Sequence, residues 1–146
     1  MPIRCEIVSQ DRKVFEGDVD IVVAPGADGE MGILPHHAPL LTALKTGVLK
    51  VRVGGHEEVF AISGGFMEVQ PDLVTVLADA AERSDEIDIA RAEEARRKAE
   101  ESLKNAPRDS EDFLKAEAAL RRSNLRLTVA RKRRGPGPMG SGDELR

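Results

Sequence analysis

The feature that most constrains this chain is a change of hydrophobic period near residue 84. Up to about residue 80, apolar residues recur at every second position. Ile3, Cys5 and Ile7 alternate with Arg4 and Glu6, Val19, Ile21 and Val23 follow, and Leu49, Val51 and Val53 alternate with Lys50 and Arg52. A period of two is that of a strand with one buried face. Val59 to Ile62, Phe66 to Val69 and Val74 to Ala78 read as further short strands, with Gly17-Asp18, Gly54-Gly55, Gly64-Gly65 and Pro71-Asp72 as turns between strands. Gly54-Gly55, between two alternating runs, is the clearest hairpin signal. No ten-residue helical pattern intervenes to supply crossovers, so these strands predict an antiparallel sandwich or barrel and not a parallel sheet.

After Ser84 the period becomes helical. Ile87, Ala90 or Arg91, Ala95, Ala99 and Leu103 share a stripe in a segment built of Ala, Glu, Arg and Lys, all strong helix formers. Asp88 is placed to cap it through the backbone N–H of Ala90 or Arg91. Asn105-Ala106-Pro107 ends it, because the residue before a proline is pushed out of helical geometry. Asp109 or Ser110 then caps a second helix whose inner stripe is Phe113, Ala116, Leu120, Ser123, Leu127 and Ala130. The short link makes the two helices antiparallel neighbours. The fold class expected is therefore α+β: a sandwich or barrel over residues 1–84, an antiparallel α-helical hairpin over 85–132, and a disordered Gly/Pro-rich tail over 133–146. A seam of alanines and one serine buries little area, which makes the hairpin a candidate two-state element needing outside support.

Charge divides the chain the same way. The net charge of −4 combines −7 over residues 1–85 with +3 over residues 86–146, and residues 114–134 hold eight basic side chains against the single acid Glu117. A basic helix on an acidic protein suits an acidic partner or an anionic ligand. Absent Trp and Tyr, together with the acidic first half, argue against nucleic-acid binding. The single cysteine, Cys5, excludes an internal disulfide and reads as a core residue in a reducing compartment. No apolar run approaches the roughly 20 residues needed to span a bilayer, and no basic-then-apolar leader opens the chain. Membrane association is therefore expected only through a partner.

No catalytic or metal constellation stands out. His36, His37 and His56 lack the Cys or acidic spacing that completes a metal site, and nothing groups as a nucleophile with its base. The glycines of Gly26 to Gly32 follow a strand but fit neither dinucleotide nor Walker spacing, and Ile33-Leu34-Pro35 follows in place of a helix, so a turn is expected. The helical segment is more informative. Arg122 and Arg126 are four apart and share a helix face, while Arg91 and Lys98 are seven apart and share another. Should these faces converge, four cations would surround a phosphate-sized space, and guanidinium forks match phosphate oxygens.

Two blocks are distinctive beyond their periodicity. Pro25-Gly26-Ala27-Asp28-Gly29-Glu30-Met31-Gly32-Ile33-Leu34-Pro35-His36-His37-Ala38-Pro39-Leu40-Leu41 and Ser63-Gly64-Gly65-Phe66-Met67-Glu68-Val69 resemble, in order and spacing, the signature of bacterial F-type ATP synthase epsilon subunits. The resemblance extends through nearly all of residues 2–132. It implies a non-catalytic central-stalk rotor subunit with no required cofactor, set against the gamma subunit and the c-ring and coupling ring rotation to the catalytic head. It places the protein peripherally on the cytoplasmic face of the bacterial membrane. Glu30 and His37 become candidates for the ring-facing or gamma-facing surface.

The same resemblance implies a hairpin that inhibits ATP hydrolysis when extended, with Arg121, Arg122, Arg126 and Arg131 to Arg134 facing an acidic segment of the beta subunit. It also implies regulatory ATP on the folded hairpin. Ile87-Asp88-Ile89-Ala90-Arg91-Ala92 fully matches the ATP motif Ile-Asp-x-x-Arg-Ala of such subunits, Glu82 lies where they place an acidic contact, and Arg122 and Arg126 match their second-helix arginines. Lys98 departs from the pattern, which has arginine there. The competing class is a generic interaction module for some other acidic partner, which co-purification with gamma and beta subunits would separate from a rotor subunit.

Overall fold

The computed structural model describes residues 2–133. These form eight strands, β1 (Ile3–Val8), β2 (Lys13–Val19), β3 (Ile21–Gly26), β4 (Gly29–Ile33), β5 (Leu40–Val53), β6 (His56–Gln70), β7 (Leu73–Ala78) and β8 (Ala81–Arg83). A 3₁₀ turn at Ser84–Glu86 and two helices, α1 (Ile89–Asn105) and α2 (Glu111–Arg133), follow. The chain divides into two compact units at the Glu86–Ile87 bond.

The strands hydrogen-bond in the order β2-β1-β7-β6-β5-β3-β4, with β8 on β6. Pairing is antiparallel throughout except between β1 and β7, which run parallel. That pair needs no helical crossover, because all the intervening strands form the connection.

Gly64-Gly65 is not a turn between two short strands, as its composition suggests, but a bend inside the continuous β6. Both glycines take positive φ, +80° and +125°. Across them the buried parity changes: Phe60 and Ile62 point inward before the bend, Met67 and Val69 after it. The first half of β6 pairs with β8 and the second with β7. β5 changes parity likewise, from Leu44 to Leu49 and Val51. Two long bent strands thus serve both layers of the sandwich, with the core closed between them.

Gly17-Asp18 is also not a turn. Both residues lie within β2, Gly17 opposite Cys5, and the reversal falls at Ser9–Arg12, where the Ser9 N–H donates to the Arg12 carbonyl at 2.9 Å. The alternation of Val19, Ile21 and Val23 breaks at Asp20. The Asp20 N–H donates to the Arg52 carbonyl at 2.7 Å and its carboxylate accepts from the Gly54 N–H at 2.9 Å. After this corner Val22 and Ala24 take the inward positions. Gly54-Gly55, Pro71-Asp72 and Ala27-Asp28 are turns, as their composition predicts. The core holds Ile3, Cys5, Ile7, Ile33, Leu49, Phe60 and Met67, all essentially inaccessible to solvent.

In the second unit Asp88 caps α1, its carboxylate accepting the Arg91 N–H at 3.2 Å, and the helix ends at Asn105 with Ala106 extended ahead of Pro107. Ser110 rather than Asp109 caps α2, its hydroxyl accepting the Phe113 N–H at 3.1 Å. The buried stripe of α1 runs through Ala92 and Ala99, and Ala90 and Arg91 are exposed. Rotating the stripe by one residue lets a methyl group occupy the seam and leaves a guanidinium in water. In α2 the buried positions are Ala116, Ser123, Leu127 and Ala130 together with Val129, and Phe113 and Leu120 are half-buried. The Ser123 hydroxyl is satisfied by the Ala119 carbonyl at 2.9 Å. The expected disorder beyond residue 133, and the charge contribution of Arg134, lie outside the described residues.

Candidate functional site

The seam of α1 and α2 brings one of the cations that spacing singled out, Lys98, onto a groove. A groove of about 660 Å³ between the helices is lined by Ala95, Lys98 and Ala99 of α1 and by Lys115, Ala116 and Ala119 of α2. Small side chains open it, because two backbones joined across alanines leave space that leucines would fill. Of the four cations singled out by spacing, Lys98 lines this groove; Arg91, one turn before Ala95, and Arg122 and Arg126, three and seven residues after Ala119, are not among its lining residues. Arg91, Lys98 and Arg122 are exposed and Arg126 is half-buried. Among the described residues Arg91 and Arg122 enter no ion pair, whereas the neighbouring Arg97 is held by Glu94 at 2.5 Å and Arg121 reaches Glu117 at 4.0 Å. The charged groups that do line the groove are Lys98, Lys115 and the carboxylate Asp112.

The remaining positions of this candidate site have local structural tasks. Asp88 is occupied in capping α1. Ala92 is fully buried and Ile87 nearly so, so neither offers a polar contact. Glu82 belongs to the other unit, half-buried on β8 opposite Ala61.

A second candidate surface lies on the outer face of the sandwich. Phe66 is paired with Ala43 on one side and Leu77 on the other, and Leu77 with Val8 beyond it. Phe66, Leu77 and nearby Leu41 are 56%, 53% and 71% exposed, far more than an isolated domain needs to leave in water. Contiguous exposed apolar side chains mark a docking surface. Sequence alternation alone did not single them out, because their outward direction depends on the parity change at Gly64-Gly65. The signature-loop residues are placed separately: Glu30 is exposed on β4 opposite Pro25. Half-buried His37 donates from Nδ1 to the Ala38 carbonyl at 2.7 Å.

Arg83 and Glu86 form a further cluster unmarked by any motif. The Arg83 guanidinium pairs with Glu58, donates to the Val14 carbonyl at 3.3 Å and lies 5.6 Å from the centre of the Phe60 ring. Glu86 accepts both terminal nitrogens of Arg12, at 2.7 and 2.8 Å, and the Arg83 N–H at 3.0 Å. The Arg12 fork, more than the Arg83 backbone bond, holds the Glu86 carboxyl below its ordinary range.

A β-sandwich joined to a two-helix hairpin with an alanine seam defines a two-module class of small α+β protein. The family models for the ATP synthase delta/epsilon chain match both modules, the beta-sandwich domain over residues 2–84 and the long alpha-helix domain over residues 85–131. The chain belongs to the ATP synthase delta/epsilon chain family, as the resemblance of Pro25 to Leu41 implies. It is 54% identical over 132 residues to an ATP synthase epsilon chain of Dehalococcoides mccartyi, covering 90% of this chain and 94% of that one. It is 52% identical over 134 residues to that of Herpetosiphon aurantiacus, covering 92% and 98%. The fold recurs in a chain of the Euglena gracilis mitochondrial ATP synthase structure that includes OSCP, F1 and c-ring. That match has TM-score 0.65 and 24% identity and covers 91% of this chain and 79% of that one. Among the described residues no helix is long and apolar enough to cross a membrane.

Proposed function

We propose that this chain is a non-catalytic rotor subunit in the central stalk of a proton-translocating F-type ATP synthase. In this reading the sandwich docks on the gamma subunit and the c-ring and couples ring rotation to the catalytic head. The protein is peripheral, held at the cytoplasmic face of the bacterial membrane through the complex. The observation that carries the reading is the match of both modules, in order, to the delta/epsilon chain. The exposed row of Leu41, Phe66 and Leu77 supports it, since it supplies apolar area that another subunit would cover. Co-expression with gamma and c subunits tests it: a stable complex is expected, and a chain that stays monomeric beside them would end this reading.

The hairpin is the regulatory part. Its alanine seam stabilises it weakly, so extension along gamma exchanges one modest set of contacts for another. Extended, it inhibits ATP hydrolysis, with Arg121, Arg122 and Arg126 meeting an acidic segment of the beta subunit. Folded, it takes ATP through Arg91, Lys98, Arg122 and Arg126. Asp88, Ile87 and Ala92 shape the start of α1. Titration of the isolated protein with ATP tests this site; an absence of binding at millimolar nucleotide overturns it. Hydrolysis by the assembled enzyme tests inhibition: neutralising the three arginines should relieve it.

A further inference from the structure

The hairpin follows a segment that the sandwich grips strongly for its length. Ser84–Glu86 is a single 3₁₀ turn, a type of structure too short to hold its shape unaided. It is pinned at Glu86 by a two-pronged contact from Arg12, which lies in the β1–β2 turn 74 residues earlier. The preceding Arg83 is pinned by Glu58, the Val14 carbonyl and the Phe60 ring. Arg12 also feels the negative charges of Glu82 and Asp11, and Arg83 that of Asp85 at 3.6 Å. The chain passes into its second compact unit immediately after Glu86, and Asp88 is extended, at φ −84° and ψ 104°.

We propose that the Arg12–Glu86 fork is a latch that sets the length of the tether between sandwich and hairpin. Closed, it fixes the chain as far as Glu86, directly ahead of the buried Ile87 and the helix cap Asp88. Open, it releases Ser84, Asp85 and Glu86, and three residues that rise about 2 Å each in a 3₁₀ turn reach about 3.4 Å each when extended. The segment before Ile87 then spans up to about 10 Å in place of about 6 Å, and is no longer held in one shape. A longer, softer tether lowers the effective concentration of a linked element at its target. The regulatory consequence rests on the inhibitory reading above: closing the latch strengthens inhibition and opening it weakens inhibition. Both partners are partly exposed, at 46% and 34%, so the latch can open in water without a large desolvation barrier.

Hydrogen exchange on the full-length chain tests the latch, using Arg12→Gln, Glu86→Gln and the double variant. Each single change should speed exchange at residues 83–87 by roughly fivefold, the scale of one well-formed surface fork. Exchange in β6 and β7 should stay unchanged. The double variant should be no faster than the faster single, because both changes remove one interaction. Unchanged exchange in either single, or additive effects in the double, overturns the proposal. In the reconstituted complex Arg12→Gln should weaken inhibition of hydrolysis several-fold, and full inhibition with the latch removed overturns its regulatory role. Neutralising Arg121, Arg122 and Arg126 in the full chain judges the inhibitory reading separately: unchanged hydrolysis there would remove that reading while the exchange result still decides the latch.

Discussion

A Cβ placed on Gly65 would lie 2.1 Å from the carbonyl oxygen of Leu77 on the adjoining strand. The contact is backbone, so no rotamer relieves it, and the φ of +125° is itself strained for any residue with a Cβ. Gly65→Ala should therefore cost about 3 kcal/mol or more. Gly54→Ala, at φ +55° with open space around it, should cost only about 1 kcal/mol. Urea unfolding of the two variants measures the difference; equal midpoints would show that β6 does not need its bend.

Phe66→Asp and Leu77→Asp place a charge on the exposed row without touching the core. Stability should change by no more than about 0.5 kcal/mol, read as an unchanged melting temperature. Retention in a complex with gamma should fall by about a hundredfold, as expected when an aromatic anchor is removed from an interface centre. Unchanged retention by the folded variants would reverse this assignment.

Acid should weaken the sandwich through named pairs. Lys13 and then Arg4 hold the Glu16 carboxyl below its ordinary value, and Arg12 does the same for Glu86. A carboxyl with a lowered folded pKa favours the folded state above its unfolded value of about 4.3. That contribution is lost as pH falls through the lower folded value. Melting temperature should therefore drop from about pH 5 downward, and Glu16→Gln should flatten the drop. An unaltered acid limb in that variant would remove Glu16 from the account.

Cys5 is fully buried, and burial pushes its thiol up to about 12. Only the thiolate attacks electrophiles, so alkylation at pH 8 should proceed only through unfolding, and its rate should rise with urea in step with loss of the sheet. Rapid labelling of the native chain would show local opening of β1.

Lys98 is exposed on the groove wall, and the ATP site proposed above would meet its single ammonium where an arginine would offer a fork. Lys98→Arg should tighten ATP binding about tenfold, the difference of one added charge-assisted bond. Calorimetric titration of both proteins decides it; a weaker or unchanged affinity would place the triphosphate elsewhere.

The two-module architecture was legible because it depends on local chemistry. The period of two before residue 80, the helix formers after Ser84, the Asp88 cap and the Pro107 stop act within a few residues of themselves. Helical spacing likewise singled out Lys98, which lines the groove between the helices. Gly64-Gly65 shows where such reading ends. A glycine pair signals only that unusual φ is allowed, and whether the chain reverses or bends depends on the strands that pair on either side.

The sequence by itself determined the strand-then-helix order, the caps, the inner stripe of α2 and the family signature. Tertiary structure alone decided that β6 runs through its glycines, that Phe66 and Leu77 consequently face outward, and that Arg12 reaches Glu86 across 74 residues. The physical reason is range: propensity and period are properties of neighbours, whereas parity across a bend and a charge pair between a turn and a distant segment exist only after the core closes.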